Sequence, residues 1–204
     1  MLAMIPAVVL AAGLSTRMGR PKALLPLGPH DTFISRIVDT FLAAGVDDVV
    51  IVLGHDAGTI ASRLRHDGVP ARIVVNDQYK TGQFSSVLKG LDAIDRPGVR
   101  AMLMTLVDVP LVSSDTVRAV AERFRKTAAP IVRPVRGDEH GHPVVIGRAL
   151  FDALRSADPA TGAKPIVRRH VSLAGDVRVD DPGAFRDVDT PDEYARLLHE
   201  LAEG

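Results

Sequence analysis

Over most of its length this chain alternates short β-branched runs with amphipathic stretches, and that alternation restricts the fold more than any other feature. The expected strands are Ala7–Ala12, Asp48–Leu53, Arg72–Asn76, Ala101–Leu106, Ile131–Pro134, Pro143–Ile146 and Asp176–Val179. The expected helices are Thr32–Ala44, Ala57–His66, Ser85–Ala93, Ser114–Lys126, Arg148–Ser156, Ala163–His170 and Pro191–Ala202. The first four strands are apolar almost throughout, which reads as burial on both faces, the habit of parallel sheets. Each returns through a helix, so right-handed βαβ crossovers and a three-layer, doubly wound, mostly parallel α/β sheet are expected. A length of 204 residues suits one domain spanning 1–204. Arg136–His140 and Ser156–Gly162 read as loops inside it, not as linkers.

Punctuation residues agree with these boundaries. Gly45 follows the first long helix, where a left-handed cap is favoured. Asp31 or Thr32 suits the start of that helix, and Ser113 or Ser114 the start of the fourth. Thr190-Pro191-Asp192-Glu193 places a cap, a first-turn proline and two acids at the last helix.

Bulk charge narrows the partners. Lys plus Arg and Asp plus Glu both number 25, so no global field favours nucleic acid or an anionic membrane. Aromatics make up 4% of the chain and tryptophan is absent, which argues against a base-stacking surface. The absence of cysteine removes disulfides, thiolate metal sites and a Cys nucleophile, and fits a reducing cytoplasm. The apolar first twelve residues lack a basic leading segment and carry Pro6, so they read as a buried strand rather than a signal peptide. No segment reads as a membrane span.

In such sheets ligands bind beyond the carboxyl ends of the strands. The first strand runs straight into Gly13-Leu14-Ser15-Thr16-Arg17-Met18-Gly19-Arg20-Pro21-Lys22. Gly13 and Gly19 let main-chain N–H groups turn around an anion, and Arg17 and Lys22 add fixed charge, with Arg20 as a helper. A nucleotide triphosphate is the natural guest. The spacing excludes a Walker A loop, because five residues separate the glycines and Ala23 follows Lys22; the dinucleotide fingerprint lacks its third glycine. The alternative is an ordinary strand-to-helix turn with solvated charges.

Other polar residues fall at equivalent strand ends. Asp108, after the fourth strand and two residues before Pro110, suits a hard cation such as Mg²⁺ shared with phosphates; a turn aspartate is the alternative. Asp187 and Asp189 alternate along an extended segment and point the same way. Either suits the same metal if that segment packs beside Asp108, although on local sequence alone helix capping, by Asp192 and then by Asp189, is the stronger reading. Asn76 and the Thr81–Ser86 turn, with Gly82, Ser85 and Ser86, suit a base or ribose, or simple capping. His142, between Gly141 and Pro143, reads equally as a substrate-site or structural residue. His55 reads as capping or packing, and His30, His66, His170 and His199 as surface. No histidine pair has zinc-motif spacing.

Together these landmarks resemble the nucleotidyltransferases of the molybdenum-cofactor type, most closely the cytidylyltransferases. The resemblance rests on Leu10 through Lys22 with Leu24-Leu25-Pro26-Leu27, and on Gly54-His55, Gly82 and Ser85-Ser86. It continues through Asp108-Val109-Pro110, Gly141-His142-Pro143, Gly162-Ala163-Lys164 and Asp187-Val188-Asp189-Thr190-Pro191, in order along the whole chain. It implies a Rossmann-like nucleotidyltransferase fold that moves a nucleoside monophosphate from a triphosphate to a phosphorylated acceptor, with Mg²⁺ as cofactor. Leu10, Ala11, Ala12, Gly13, Ser15, Thr16, Arg17, Gly19 and Lys22 would hold the nucleotide, bordered by Asn76, Gly82, Ser85 and Ser86. Arg17, Lys22 and Asp108 would be catalytic, Asp108 and Asp189 would hold the metal, and His142 would face the acceptor. The implied acceptor is molybdopterin or molybdenum cofactor, with a molybdoenzyme client as a further partner. Val107, Gln83 and Phe84 depart from the family pattern. Ala11-Ala12-Gly13, where guanylyl enzymes tend to Ala-Gly-Gly, favours CTP over GTP. Guanylyl transfer, a sugar or polyol phosphate acceptor, and a non-catalytic nucleotide-binding regulator are the competing readings.

Overall fold

Successive side chains of the first strand enter opposite layers of the molecule, as a pleated strand buried on both faces requires. In the computed structural model, which describes residues 4–29 and 31–203, strand β1 (Ala7–Ala11) sends Ala7, Val9 and Ala11 into one core and Val8 and Leu10 into another. The first core is closed by α1 (Phe33–Ala43), α2 (Ala57–His66) and α4 (Ser114–Thr127). The second is closed by α3 (Gln83–Ile94) and α5 (Phe151–Arg155), with α6 (Lys164–His170) packed at its margin. The expected three layers are present.

Strands β2 (Val49–Leu53), β3 (Arg72–Val75) and β4 (Ala101–Leu106) complete the parallel half. Val9 of β1 pairs with Ile51 on one side and Thr105 on the other. The remaining strands are β5 (Ile131–Arg136), β6 (Glu139–His140), β7 (Val144–Gly147) and β8 (Asp176–Arg178). The sheet order is β3-β2-β1-β4-β7-β5-β6, with β8 joined to β5. Pairings of β7 with β4 and β5 are antiparallel, as is β6 with β5, whereas β8 runs parallel to β5.

Two expectations need correction. The third strand is not buried on both faces: β3 is the sheet edge, and Arg72 and Val75 are exposed. The Arg136–His140 loop is a tight β5–β6 hairpin. The caps fall largely as read. Thr32 and Ser35 form a reciprocal capping box, Ser113 accepts from the Thr116 N–H, and Gly45 sits at φ +80°.

Helix α7 (Pro191–Glu203) matters most for the site. Its Tyr194 and Leu197 pack with Val188 against Met18, Leu25, Leu27 and Phe33, so the last helix braces the loop that follows β1. Among the described residues no helix is long and apolar enough to cross a membrane.

Candidate active site

The loop after β1 turns sharply at Ser15, which takes φ 50° and whose carbonyl accepts from the N–H groups of Met18 (3.0 Å) and Gly19 (3.1 Å). Gly19 follows in the left-handed region at φ +67°, which a glycine tolerates best. The Ser15 hydroxyl then accepts from the Lys22 N–H at 3.1 Å, starting a short 3₁₀ turn over Lys22–Leu24. Lys22 is thereby aimed inward, its side chain only 11% exposed.

A buried ammonium needs counter-charge, and two carboxylates from distant parts of the chain supply it. Lys22 Nζ donates to Asp108 Oδ2 at 3.3 Å and also to Asp189 Oδ1, while Arg17 Nη2 donates to Asp189 Oδ2 at 2.7 Å. These contacts hold the Asp189 carboxyl below the usual carboxylate range, the Lys22 hydrogen bond first. Asp108 stands just beyond β4, and its Oδ1 is buried without a hydrogen-bond partner.

Capping does not consume Asp189, contrary to the local reading. Thr190 Oγ1 accepts from the Glu193 N–H (3.3 Å), and Glu193 Oε2 accepts from the N–H groups of Asp189 (2.8 Å) and Thr190 (2.9 Å). This reciprocal cap seats α7 and leaves the Asp189 carboxylate free for Lys22. Asp187, two residues back, is more exposed than Asp189; its carboxyl is raised by partial burial and then by the like charges of Asp108 and Asp189, against the opposing pull of His142 and Lys22. His142 is buried near these groups: burial pushes its imidazole below the usual histidine range, against the opposing pull of the Met104 backbone, Asp187 and Asp108, and its Nδ1 has no partner among the described residues.

A cleft of about 270 Å³ opens above this charge cluster. Leu10, Ala11, Ala12, Gly13, Ser15, Thr16, Arg17 and Lys22 line one side, and Ser86, Asp108 and Asp189 another. Gly19 and Gly82 shape adjoining turns, at φ +67° and +120°, without lining the cleft. Asn76 and Ser85 depart from expectation. Asn76 Nδ2 donates to Ser85 Oγ (2.8 Å) and Ser86 Oγ (2.9 Å), and its Oδ1 accepts from the Gln78 N–H (3.0 Å). Both residues border a separate groove on the outer side of α3, so their polar groups fasten β3 to α3. His142 is also outside the cleft lining, and Arg20 lies over the Tyr194 ring (5.4 Å) instead of facing it.

Residues 7–174 match the family described as the MobA-like NTP transferase domain. The chain belongs to that family. As a member of the MobA-like family it is a nucleotidyltransferase. A Paenarthrobacter nicotinovorans protein named nicotine blue oxidoreductase is 35% identical over 198 residues, covering 94% of this chain and 95% of that one. A probable molybdenum cofactor guanylyltransferase of Rhodopirellula baltica is 29% identical, with 83% and 88% covered. The Escherichia coli molybdenum cofactor cytidylyltransferase is 24% identical, with 98% of both chains covered. Among solved structures, Rv0371c of Mycobacterium tuberculosis matches with TM-score 0.79 and 30% identity over 96% of this chain and 98% of that one. That protein has also been solved in complex with manganese, where the TM-score is 0.74 at 29% identity, with 96% and 98% covered.

Among the polar and aromatic side chains lining the cleft of this MobA-like chain, His55, Tyr79 and Gln83 carry no nucleotide or metal role on sequence. Gly54 is the signal that pointed there. A Cβ at Gly54 would stand 2.6 Å from Tyr79 Cβ and 2.7 Å from the Ala12 carbonyl oxygen, so glycine lets β2 end flush against both. His55 and Tyr79 then stand with ring centroids 6.1 Å apart at one wall. Of the histidines read as surface, His66 is exposed and His199 pairs with Glu203, whereas His170 is half-buried on the Ile166 carbonyl; His30 lies outside the described residues.

The donor set also fits a divalent cation. Two hard carboxylates converge on one positive charge, and a buried Asp108 oxygen lacks any partner. Among the described residues no three His, Cys, Asp or Glu side chains group closely enough to chelate alone. A cation held there would need its other ligands from phosphate and water, which is the habit of Mg²⁺.

Proposed function

We propose that this nucleotidyltransferase acts in the cytoplasm, moving CMP from CTP to a phosphorylated acceptor of the molybdopterin or molybdenum-cofactor type and releasing pyrophosphate. The observation that carries the reading is Lys22, gripped by Asp108 and Asp189 beside the Gly13–Lys22 loop at the end of the parallel strands. Ala11-Ala12-Gly13 at the cleft wall supports CTP. The cytidylyl and guanylyl relatives leave both bases within the family.

An acceptor phosphate is already nucleophilic at neutral pH, so no Ser, Cys or strong base is needed. Its oxygen forms the new bond to the α-phosphorus, the bond to the α,β-bridging oxygen breaks, and pyrophosphate leaves with that electron pair. The loop amides and Arg17 hold the triphosphate in line. Lys22 turns from the carboxylates to the departing pyrophosphate and neutralises charge as it develops. Asp108 and Asp189 would hold Mg²⁺, which would supply further charge neutralisation; the manganese complex of the mycobacterial relative supports a divalent ion. His142, beside Asp187 and Asp108, would border the acceptor.

Pyrophosphate release measured over a matrix of nucleotides and acceptors tests this reading. Turnover with CTP and a molybdopterin-type acceptor is expected; a preference for GTP, or for a sugar or polyol phosphate, reassigns the substrates on the same cleft. Asp108→Ala should lower turnover about 100-fold or more, far more than it weakens nucleotide binding, and near-normal turnover refutes the metal assignment. The 35% identical relative named nicotine blue oxidoreductase raises a second reading, a redox role for the same cleft. Nucleotide binding with no pyrophosphate release for any acceptor would favour it.

A further inference from the structure

Residues 181–189 lead to Asp189 along a path tied at both ends to the loop that follows β4. The segment begins at Asp181, whose Oδ2 accepts three bonds from the start of α4: the Ser113 N–H (2.9 Å), the Ser113 hydroxyl (2.8 Å) and the Thr116 hydroxyl (2.6 Å). Its Oδ1 accepts from the Gly183 N–H at 3.1 Å, folding the short 3₁₀ turn Pro182–Phe185. At the far end, the Val188 N–H donates to the Asp108 carbonyl at 2.8 Å, and Val188 is fully buried. Both ties land on the same loop, which leaves β4 with Asp108 and enters α4 at Ser113. Between them the segment has no slack. A Cβ on Gly183 would stand 2.0 Å from the Leu111 carbonyl oxygen, and one on Gly141 would stand 2.2 Å from the Ala184 carbonyl oxygen. Ala184 is gripped from that second side, its carbonyl accepting from the His142 N–H at 2.8 Å.

We propose that Asp181 is a positioning residue for nucleotidyl transfer: by tying residues 181–189 to the loop that carries Asp108, it sets the gap between Asp108 and Asp189. The claim rests on the transferase reading above but concerns a residue outside the cleft. A carboxylate suits the task because both its oxygens are acceptors, matching four converging donors. An amide there would turn a donor toward donors.

Asp181→Asn keeps the shape and spoils this match. Turnover should fall about 10- to 100-fold, the scale of a small misplacement of reacting groups. With the metal saturating, the KM for the nucleotide should change far less than turnover, since the Ser15 contacts that shape the Gly13–Lys22 loop do not involve residues 181–189. Half-saturation by Mn²⁺, followed by electron paramagnetic resonance with the nucleotide present, should move to higher concentration. Gly183→Ala displaces the same segment sterically and should give the same signature. Thr116→Val, which removes one donor, serves if either variant fails to fold. A folded Asp181→Asn protein with wild-type turnover and Mn²⁺ binding overturns the proposal, even if its melting temperature is lower. A wild type that releases no pyrophosphate with any pair sinks the transferase reading instead, and Mn²⁺ binding then decides Asp181. A wild type that binds no Mn²⁺ overturns the proposal too.

Discussion

Asp187 is the carboxylate of the cluster that has no cation of its own. Lys22 and Arg17 both go to Asp189, Lys22 also to Asp108, and among the described residues no ion pair reaches Asp187. Burial, followed by repulsion from Asp108 and Asp189, raises its carboxyl above the unfolded value of about 3.9. Between these two values the folded state binds more protons than the unfolded, so stability falls as pH rises through that window and stays lowered above it. Asp187→Asn should therefore stabilise the ligand-free protein at pH 7, by under about 1 kcal/mol because the carboxyl is partly screened by solvent. Denaturant midpoints at pH 7 and at pH 3 check it: the variant's advantage should vanish at the lower pH. Asp189 has the opposite sign, since its lowered carboxyl contributes stability above about 3.9 that is lost as pH falls through its folded value. At this scale Lys22, Arg17 and Asp108 were legible in sequence because glycines, a strand end and fixed charge mark them. Tyr79 was not, because its place in the cleft comes from the 3₁₀ turn Tyr79–Thr81 packing against Gly54, a contact between segments far apart in the chain.

Elements were read well where local chemistry decides them. Thr32, Ser113 and Thr190 cap the helices they precede, and the apolar strands β1, β2 and β4 fall where β-branched runs do. The stretch Arg148–Ser156, read as one helix, is a 3₁₀ turn Arg148–Leu150 followed by α5, a distinction its apolar spacing does not encode. Edge status was equally hidden: Arg72-Ile73-Val74-Val75 resembles an inner strand, yet no strand follows β3 outward. The contact between α3 and β1 is different, because one glycine makes it. Alanine at Gly90 would place its Cβ 2.3 Å from Val8 Cγ1 and 3.2 Å from Val52 Cγ2. Val8 and Val52 are fully buried and stiff at χ1, so they yield poorly. Helix propensity favours alanine by about 1 kcal/mol, but overpacking of this kind costs about 1–3 kcal/mol. Gly90→Ala should thus lower the urea midpoint, with a net loss of about 1 kcal/mol, and a raised midpoint would show that α3 can lift from the sheet without penalty.

For the whole molecule, sequence revealed the layers but not the order of the second half of the sheet. The insertion of β7 between β4 and β5 depends on which distant edges meet, and strand periodicity carries no such record. The Gly141–His142 turn ahead of β7 packs on Ala184, and Lys22 from early in the chain meets Asp189 from late in it to close one charge cluster. If Lys22 exchanges between carboxylate and phosphate as proposed, metal and triphosphate should bind cooperatively. In the ligand-free protein Lys22 neutralises Asp108 and Asp189, and a cation entering alone must displace an ammonium that then lacks a partner. A triphosphate entering alone draws Lys22 away and leaves two carboxylates exposed to each other and to Asp187. Together, the anion satisfies Lys22 and Arg17 while the cation satisfies the carboxylates. Ligand binding to the folded state raises stability by RT ln(1 + [L]/Kd), or about 2.7 kcal/mol at a concentration 100 times Kd. Thermal unfolding with Mg²⁺ alone, CTP alone and both should show two small shifts and a combined shift larger than their sum. Strictly additive shifts would mean that Lys22 does not exchange between carboxylates and phosphate, and the mechanism built on that exchange would fall.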